Sequence, residues 1–84
     1  MDKIISDDEL FEGLEKQLLK FTKNISYIIR RYEDSYIIVA ISDINDYKAT
    51  EMIKDIDYES LRQVSYKLAE RIGNYTYKNC LYKG

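Results

Sequence analysis

The chain has 84 residues, of which 45% are hydrophobic and 33% are charged, and its formal net charge is −2. This length allows a single domain, and the apolar content excludes a disordered chain because it is sufficient for a small core. The longest apolar run, Ile37–Ile41, is far shorter than the roughly 20 residues of a membrane-spanning helix, so we expect no membrane association.

A first helix is predicted at about residues 7–22. Ser6 is a suitable N-cap, and Glu9 follows three residues later, which together make a capping box. Ile5 before the cap and Leu10 after it are spaced for a hydrophobic staple. The helix then carries an apolar stripe at helical spacing, formed by Leu10, Phe11, Leu14, Leu18 and Phe21.

A β-hairpin is predicted next. Two short segments rich in Ile, Val and Tyr, Ile25–Tyr32 and Tyr36–Ser42, are separated by a polar turn. The second segment is apolar on both faces, so we predict that it is the central strand and is covered on each side. The first segment carries Arg30 and Arg31, which favours a position nearer the edge of the sheet.

Residues 43–56 fit two structures. A short helix capped by Asn45 would place four apolar residues on one face, namely Ala49, Met52, Ile53 and Ile56. A short strand would instead place Thr50, Met52 and Ile56 on one side. We favour the helix.

A second helix is predicted after Asp57, which is a good N-cap, with Ile56 and Leu61 spaced for a staple. Its buried stripe consists of Leu61, Val64, Leu68 and Ile72. Gly73 is predicted to end it. Residues 74–84 alternate loosely and are interpreted either as a final strand or as an arm.

These elements predict one α+β domain over residues 1–84. Its order is N-terminal helix, β-hairpin, short helix or strand, C-terminal helix and, on one interpretation of the tail, a final strand. The elements are expected to pack in two layers.

The residue inventory argues against catalysis. The chain has no histidine, one cysteine and three scattered glycines, which removes the common triads, zinc sites and phosphate-binding loops. We therefore predict no enzyme activity, no metal and no cofactor. The single cysteine, Cys80, is expected to pack in the core, and its isolation together with the absence of a secretory signal pattern favours a cytoplasmic location.

Nine tyrosines are too many for so small a core, so several are expected at the surface, where tyrosine is a frequent binding residue. We predict a non-catalytic protein-interaction module, an inhibitor or regulator of a larger protein, of the kind that AT-rich phage and mobile elements encode. A homodimer held by acidic-to-basic contact is a variant. The predicted partner-binding residues are Asp7, Asp8, Glu12, Glu15, Tyr32 and Tyr36.

The alternative function is nucleic-acid binding by the basic, tyrosine-rich C-terminal segment. Tyrosine rings stack on unpaired bases, and lysine or arginine side chains contact phosphates. The residues predicted for this role are Arg62, Lys67, Arg71, Tyr75, Tyr77, Lys78, Tyr82 and Lys83.

Overall fold

The computed structural model describes residues 7–81. Its elements are α1 (Asp7–Leu19), β1 (Ile25–Tyr32), β2 (Ser35–Ser42), β3 (Lys48–Ile53) and α2 (Tyr58–Thr76). The predicted α+β class is confirmed. The predicted capping box at Ser6 and the staple at Ile5 lie outside the described residues.

The strands form an antiparallel sheet in the order β1-β2-β3, which confirms the hairpin and the central position of β2. Ile28 on β1 lies beside Val39 on β2, which lies beside Thr50 on β3. The hairpin turns through two residues, and Glu33 in the turn has a φ of 55°. A positive φ is uncommon outside glycine, so Glu33 adopts here a conformation that hairpin turns usually assign to glycine, asparagine or aspartate.

The segment after the hairpin is a strand, so the favoured short helix is wrong. In β3, Ala49 is buried, Glu51 and Ile53 are half-buried, and the residues between them are more exposed. This alternation has the period of a strand. Pairing with β2 also satisfies backbone groups that β2 would otherwise leave open on that side, so tertiary pairing overrides the local helical spacing.

Both helices pack on the same face of the sheet. The Phe11 ring of α1 contacts the Tyr36 ring of β2 edge-to-face, with centroids 6.4 Å apart. Arg71 of α2 reaches Glu51 of β3, which shares that face. The core between the two layers includes Leu18, Ile25, Ile29, Ile38, Ala40, Leu61, Leu68 and Ile72.

Within residues 7–81, β2 is covered on one face only, contrary to the expectation that it is covered on each side. Ile38 and Ala40 point toward the helices and are buried, whereas Ile37, Val39 and Ile41 point the other way and are half-buried. No described helix or strand packs against that second face. The smallest extent of the molecule, 18 Å, agrees with two layers, because another packed layer adds about 10 Å.

The second helix begins as predicted but ends later. The Ser60 amide donates to the Asp57 carboxylate at 2.8 Å, which confirms the cap, and this bond lowers the pKa of Asp57. Gly73 does not end α2, which continues to Thr76 and is followed by Tyr77 in the left-handed conformation, with a φ of 57°. The chain then returns across the helix, and a Cβ on Gly73 would lie 2.9 Å from the Lys78 carbonyl oxygen. Glycine is needed here for close approach, not for termination.

Residues 80 and 81 of the tail lie beside the segment that follows α1. The Lys23 amide donates to the Cys80 carbonyl at 2.8 Å, and Leu81 makes a single antiparallel bridge with Thr22. Up to residue 81 the tail is therefore neither a full strand nor a free arm.

Candidate protein-binding face

The surface of main interest is the sheet face that points away from α1 and α2, which we call the open face. Its centre is apolar and is formed by Ile28, Ile37, Val39, Ile41 and Met52. It exists because β2 is apolar at every position from 36 to 41, while the two helices cover only one side of it. The apolar side chains on the other side have no described element over them.

The register brings these side chains together. Ile28 pairs with Val39 across β1 and β2, and Ile37 pairs with Met52 across β2 and β3. Ile28 is 38% exposed and Met52 is 53% exposed. Scattered exposed apolar residues are normal, whereas a contiguous group on one face is an arrangement that interaction surfaces often have.

Positive side chains flank this apolar centre. Arg30 lies on β1 and Lys48 lies on β3, so the two flank the face on its opposite edges. The Arg30 guanidinium donates to the carbonyl of Ile29 at 2.7 Å, which holds it close to the strand edge. Neither Arg30 nor Lys48 forms an ion pair with another residue in the described range. No strand position of the open face carries a carboxylate.

The carboxylates nearest this face lie in the loops at its ends, and two of them, Asp43 and Asp34, contact neighbouring side chains. Asp43 accepts a hydrogen bond from the Ser26 hydroxyl at 2.8 Å. Asp34, in the hairpin turn, lies 4.0 Å from the Lys54 ammonium. Among the strand positions of the open face, the charged side chains are Arg30 and Lys48, one on each long edge.

The structure does not bring the predicted partner-binding residues together. Asp8 and Glu12 are exposed on α1 and Glu15 is half-buried there, on the opposite side of the molecule from the open face. Tyr32 ends β1 on the open face and is 53% exposed. Tyr36 points to the covered face, where it packs on Phe11 with the Arg31 guanidinium 5.0 Å from its ring centroid. The side chain of the sixth residue, Asp7, lies outside the described residues.

The arginines predicted for nucleic-acid binding are paired with acids. Arg62 donates to Glu59 at 2.6 Å, which lowers the pKa of Glu59. Arg71 lies 3.1 Å from Glu51 and also donates to the Thr50 carbonyl at 2.9 Å. Nine residues separate the two arginines, which places them on opposite flanks of α2.

The remaining residues of that set are divided. Tyr75 stacks on Tyr47 with centroids 3.8 Å apart, and Tyr77 is 93% exposed. Lys67 and Lys78 are exposed. Tyr82 and Lys83 lie outside the described residues. Lys67, Arg71 and Tyr75 are spaced four residues apart on α2 and lie along one flank, whereas Arg62 lies on the opposite flank, so the predicted set is not gathered on one surface within residues 7–81.

Sequence reasoning missed the open face as a site. Of its residues, only Tyr32 was predicted to bind a partner. The sequence signal for it is the apolar character of both faces of β2, which taken alone predicts burial on both sides. Which face the helices would cover depends on the whole topology and not on the strand alone.

Two other features of the described region, a groove and a buried cysteine, are weaker candidates for a functional site. A groove of about 230 Å³ between β3 and the start of α2 is lined by residues of both charges, including Glu51, Lys54, Asp55 and Lys67. No group of three or more His, Cys, Asp or Glu side chains within residues 7–81 is arranged to hold a metal ion. Cys80 is 2% exposed, and burial raises the pKa of its thiol, as expected for a packing residue.

Residues 7–81 form a small two-layer α+β domain, and no described element covers one face of its sheet. Comparisons with models of protein families, with curated proteins and with solved structures find no match to the chain. Neither described helix has the length and apolar character needed to cross a membrane.

Proposed function

We propose that this chain is a non-catalytic protein-interaction module, an inhibitor or regulator of a larger protein, and that it binds its partner through the open face. The observation that supports the proposal is the contiguous apolar surface on β1, β2 and β3, which no described element covers.

Burial of this surface is the source of binding energy. Removing apolar area from water contributes about 25 cal/mol per Å² before the costs of association are subtracted. The strands are held by the core on their other face, so the side chains of the open face are presented on a rigid support. A preorganised surface loses little conformational entropy on binding.

The acidic residues of α1 are a second candidate surface for binding the partner. Glu12 pairs with Lys16 at 3.4 Å on an exposed helix face, which is also the ordinary arrangement of a solvated helix. Tyr32 adds an amphipathic ring at the end of the open face, where such a ring suits a polar rim.

The test is a tagged pull-down from source-organism lysate, run with and without nuclease, with proteins identified by mass spectrometry. The open-face variant is Ile28→Lys/Met52→Lys. The matched control is Leu19→Lys, because Leu19 is an apolar residue of similar exposure, 43%, on α1. Circular dichroism and urea unfolding verify that each variant is folded.

We expect a stoichiometric protein partner that the wild type and Leu19→Lys retain and the open-face variant loses. A partner retained equally by all three contradicts the proposal. If the Asp8→Lys/Glu12→Lys variant loses the partner and the open-face variant retains it, the binding site lies on α1. Recovery of nucleic acid, with proteins lost on nuclease treatment, would favour the alternative function, whose exposed residues include Tyr77 and Lys78.

A further inference from the structure

The open face combines an apolar centre with one positive side chain on each long edge. Arg30 is in register with Met52 and Lys48 with Ser26, so the two cations lie diagonally across the face. Arg30 and Lys48 stand on strands that are separated by β2, so about 10 Å lies between the two edges. An occupant with apolar residues along its middle and carboxylates along both sides would complement this pattern.

The dimensions of the face match one α-helix. Strands of eight and six residues span roughly 20–26 Å. A helix of about 16 residues is about 24 Å long and 10–12 Å wide with its side chains. An amphipathic helix lying along the strands would place its apolar stripe over Val39 and its polar flanks beside the two edges.

A second copy of the chain fits less well. Two open faces packed together would bring two arginines and two lysines into one interface, and no strand position of either face supplies a carboxylate. Burying like charges without partners is unfavourable. Single-stranded nucleic acid also fits less well, because base stacking needs aromatic rings and the centre of the face is aliphatic.

We propose, resting on the function proposed above, that the occupant of the open face is an acidic amphipathic helix of the partner protein. Its apolar side chains pack on Ile28, Ile37, Val39 and Met52, and its carboxylates pair with Arg30 and Lys48.

The experiment titrates two synthetic peptides into the whole chain labelled at its isoleucine methyl groups. Both peptides have about 16 residues, a length that matches the face, and leucines at i, i+3, i+4 and i+7. One carries glutamates beside the leucines, and the other carries lysines. The labels report on both faces, because Ile28, Ile37 and Ile41 lie on the open face and Ile25, Ile29 and Ile38 lie on the covered face.

We expect the glutamate peptide to bind about tenfold more tightly than the lysine peptide at low salt, and the difference to shrink as salt is added. The methyl shifts should concentrate on the open-face isoleucines. The variant Arg30→Glu/Lys48→Glu should reverse the preference. Both positions are exposed, so this variant is expected to fold.

Several results would overturn the inference. These are equal affinities for the two peptides, no saturable binding of the glutamate peptide, shifts confined to the covered isoleucines, or an unchanged preference in the charge-reversed variant. If the chain sediments as a dimer and the Ile28→Lys/Met52→Lys variant does not, the occupant of the open face is a second copy of the chain. If an oligothymidine shifts the methyl signals of the open-face isoleucines more strongly than the peptide does, the occupant is nucleic acid.

The two proposals can fail separately. If the cellular partner is lost with Ile28→Lys/Met52→Lys but unaffected by Arg30→Glu/Lys48→Glu, the open face is the site and the acidic helix is wrong. If no partner depends on the open face, the proposed function itself is wrong.

Discussion

The two faces of the sheet are built from similar side chains that have different neighbours. On the covered face, Ile29 and Ile38 are at most 1% exposed because α1 and α2 pack over them. On the open face, Ile28 is 38% exposed and Ile37 is half-buried, although each is adjacent in sequence to one of the covered pair. An isoleucine on this sheet therefore contributes to the core or to a surface according to which of the two alternating faces its place in the strand gives it.

The largest expected effect is a difference between adjacent isoleucines. Ile38→Ala removes atoms from the closed core and should lower the free energy of unfolding by about 2–5 kcal/mol. Ile37→Ala removes the same atoms from the half-buried open face, where we expect a loss of about 1 kcal/mol. Urea unfolding followed by circular dichroism measures both values.

Milder substitutions keep this comparison measurable if Ile38→Ala does not fold. Ile38→Val should cost about 0.5–1.5 kcal/mol, and Ile37→Val should cost less than that. Equal losses at the two positions would show that the open face is covered in solution, by a second copy or by a segment outside residues 7–81. Sedimentation would distinguish these two explanations.

Local signals predicted the elements with strong caps or clear periods. Asp57 and the apolar stripe of α2 fix the start of that helix, and the run of β-branched residues predicts β2. The strand β3 could not be predicted in this way, because its apolar spacing also fits a helix. The interaction that favours the strand is nonlocal: Glu51 faces α2, where Arg71, 20 residues further on, pairs with it.

The candidate site was less predictable than the fold. The exposed character of Tyr32 follows from its place at the end of β1, but the placement of Tyr36 under α1 follows from the packing of Phe11. The two residues are four apart in sequence and lie on opposite faces, because the two-residue turn lies between them. Tertiary contacts decide which residues share a surface, and those contacts are not encoded in any one segment.

A second comparison concerns two tyrosines of β1. Tyr27 is buried on the covered face and its hydroxyl lies 2.8 Å from the Thr22 hydroxyl. Burial raises the pKa of Tyr27 from 10.0 to about 12. The unfolded chain therefore releases this proton near pH 10, and the folded chain releases it only near pH 12. As a result, the titration of Tyr27 leaves the free energy of unfolding unchanged below pH 10 and lowers it as the pH rises toward 12. The loss from Tyr27 should be about 2–3 kcal/mol.

The Tyr27→Phe variant tests this expectation by urea unfolding at a series of pH values. At pH 7 it should be less stable than the wild type by about 1 kcal/mol, since a buried hydrogen bond is lost. Between pH 10 and 12 its stability should fall less steeply. Tyr32→Phe is the matched control from the open face and should keep the steep fall because Tyr27 is still present. Identical slopes for the wild type and Tyr27→Phe would contradict the assignment.

The smallest expected effects concern the two glycines that lie in helices, Gly13 and Gly73. Only Gly73 is contacted by the returning tail, at one end of the covered face. The Lys78 carbonyl leaves no room for a Cβ on Gly73, so we expect Gly73→Ala to destabilise the fold by about 1–2 kcal/mol despite the better helix propensity of alanine. Gly13 has nothing within 4 Å of an added Cβ on the exposed side of α1. Gly13→Ala should therefore stabilise the fold by about 0.5–1 kcal/mol. Urea midpoints measure both signs, and a stabilising Gly73→Ala would mean that the tail does not pack against α2 and that the covered face is open at this end.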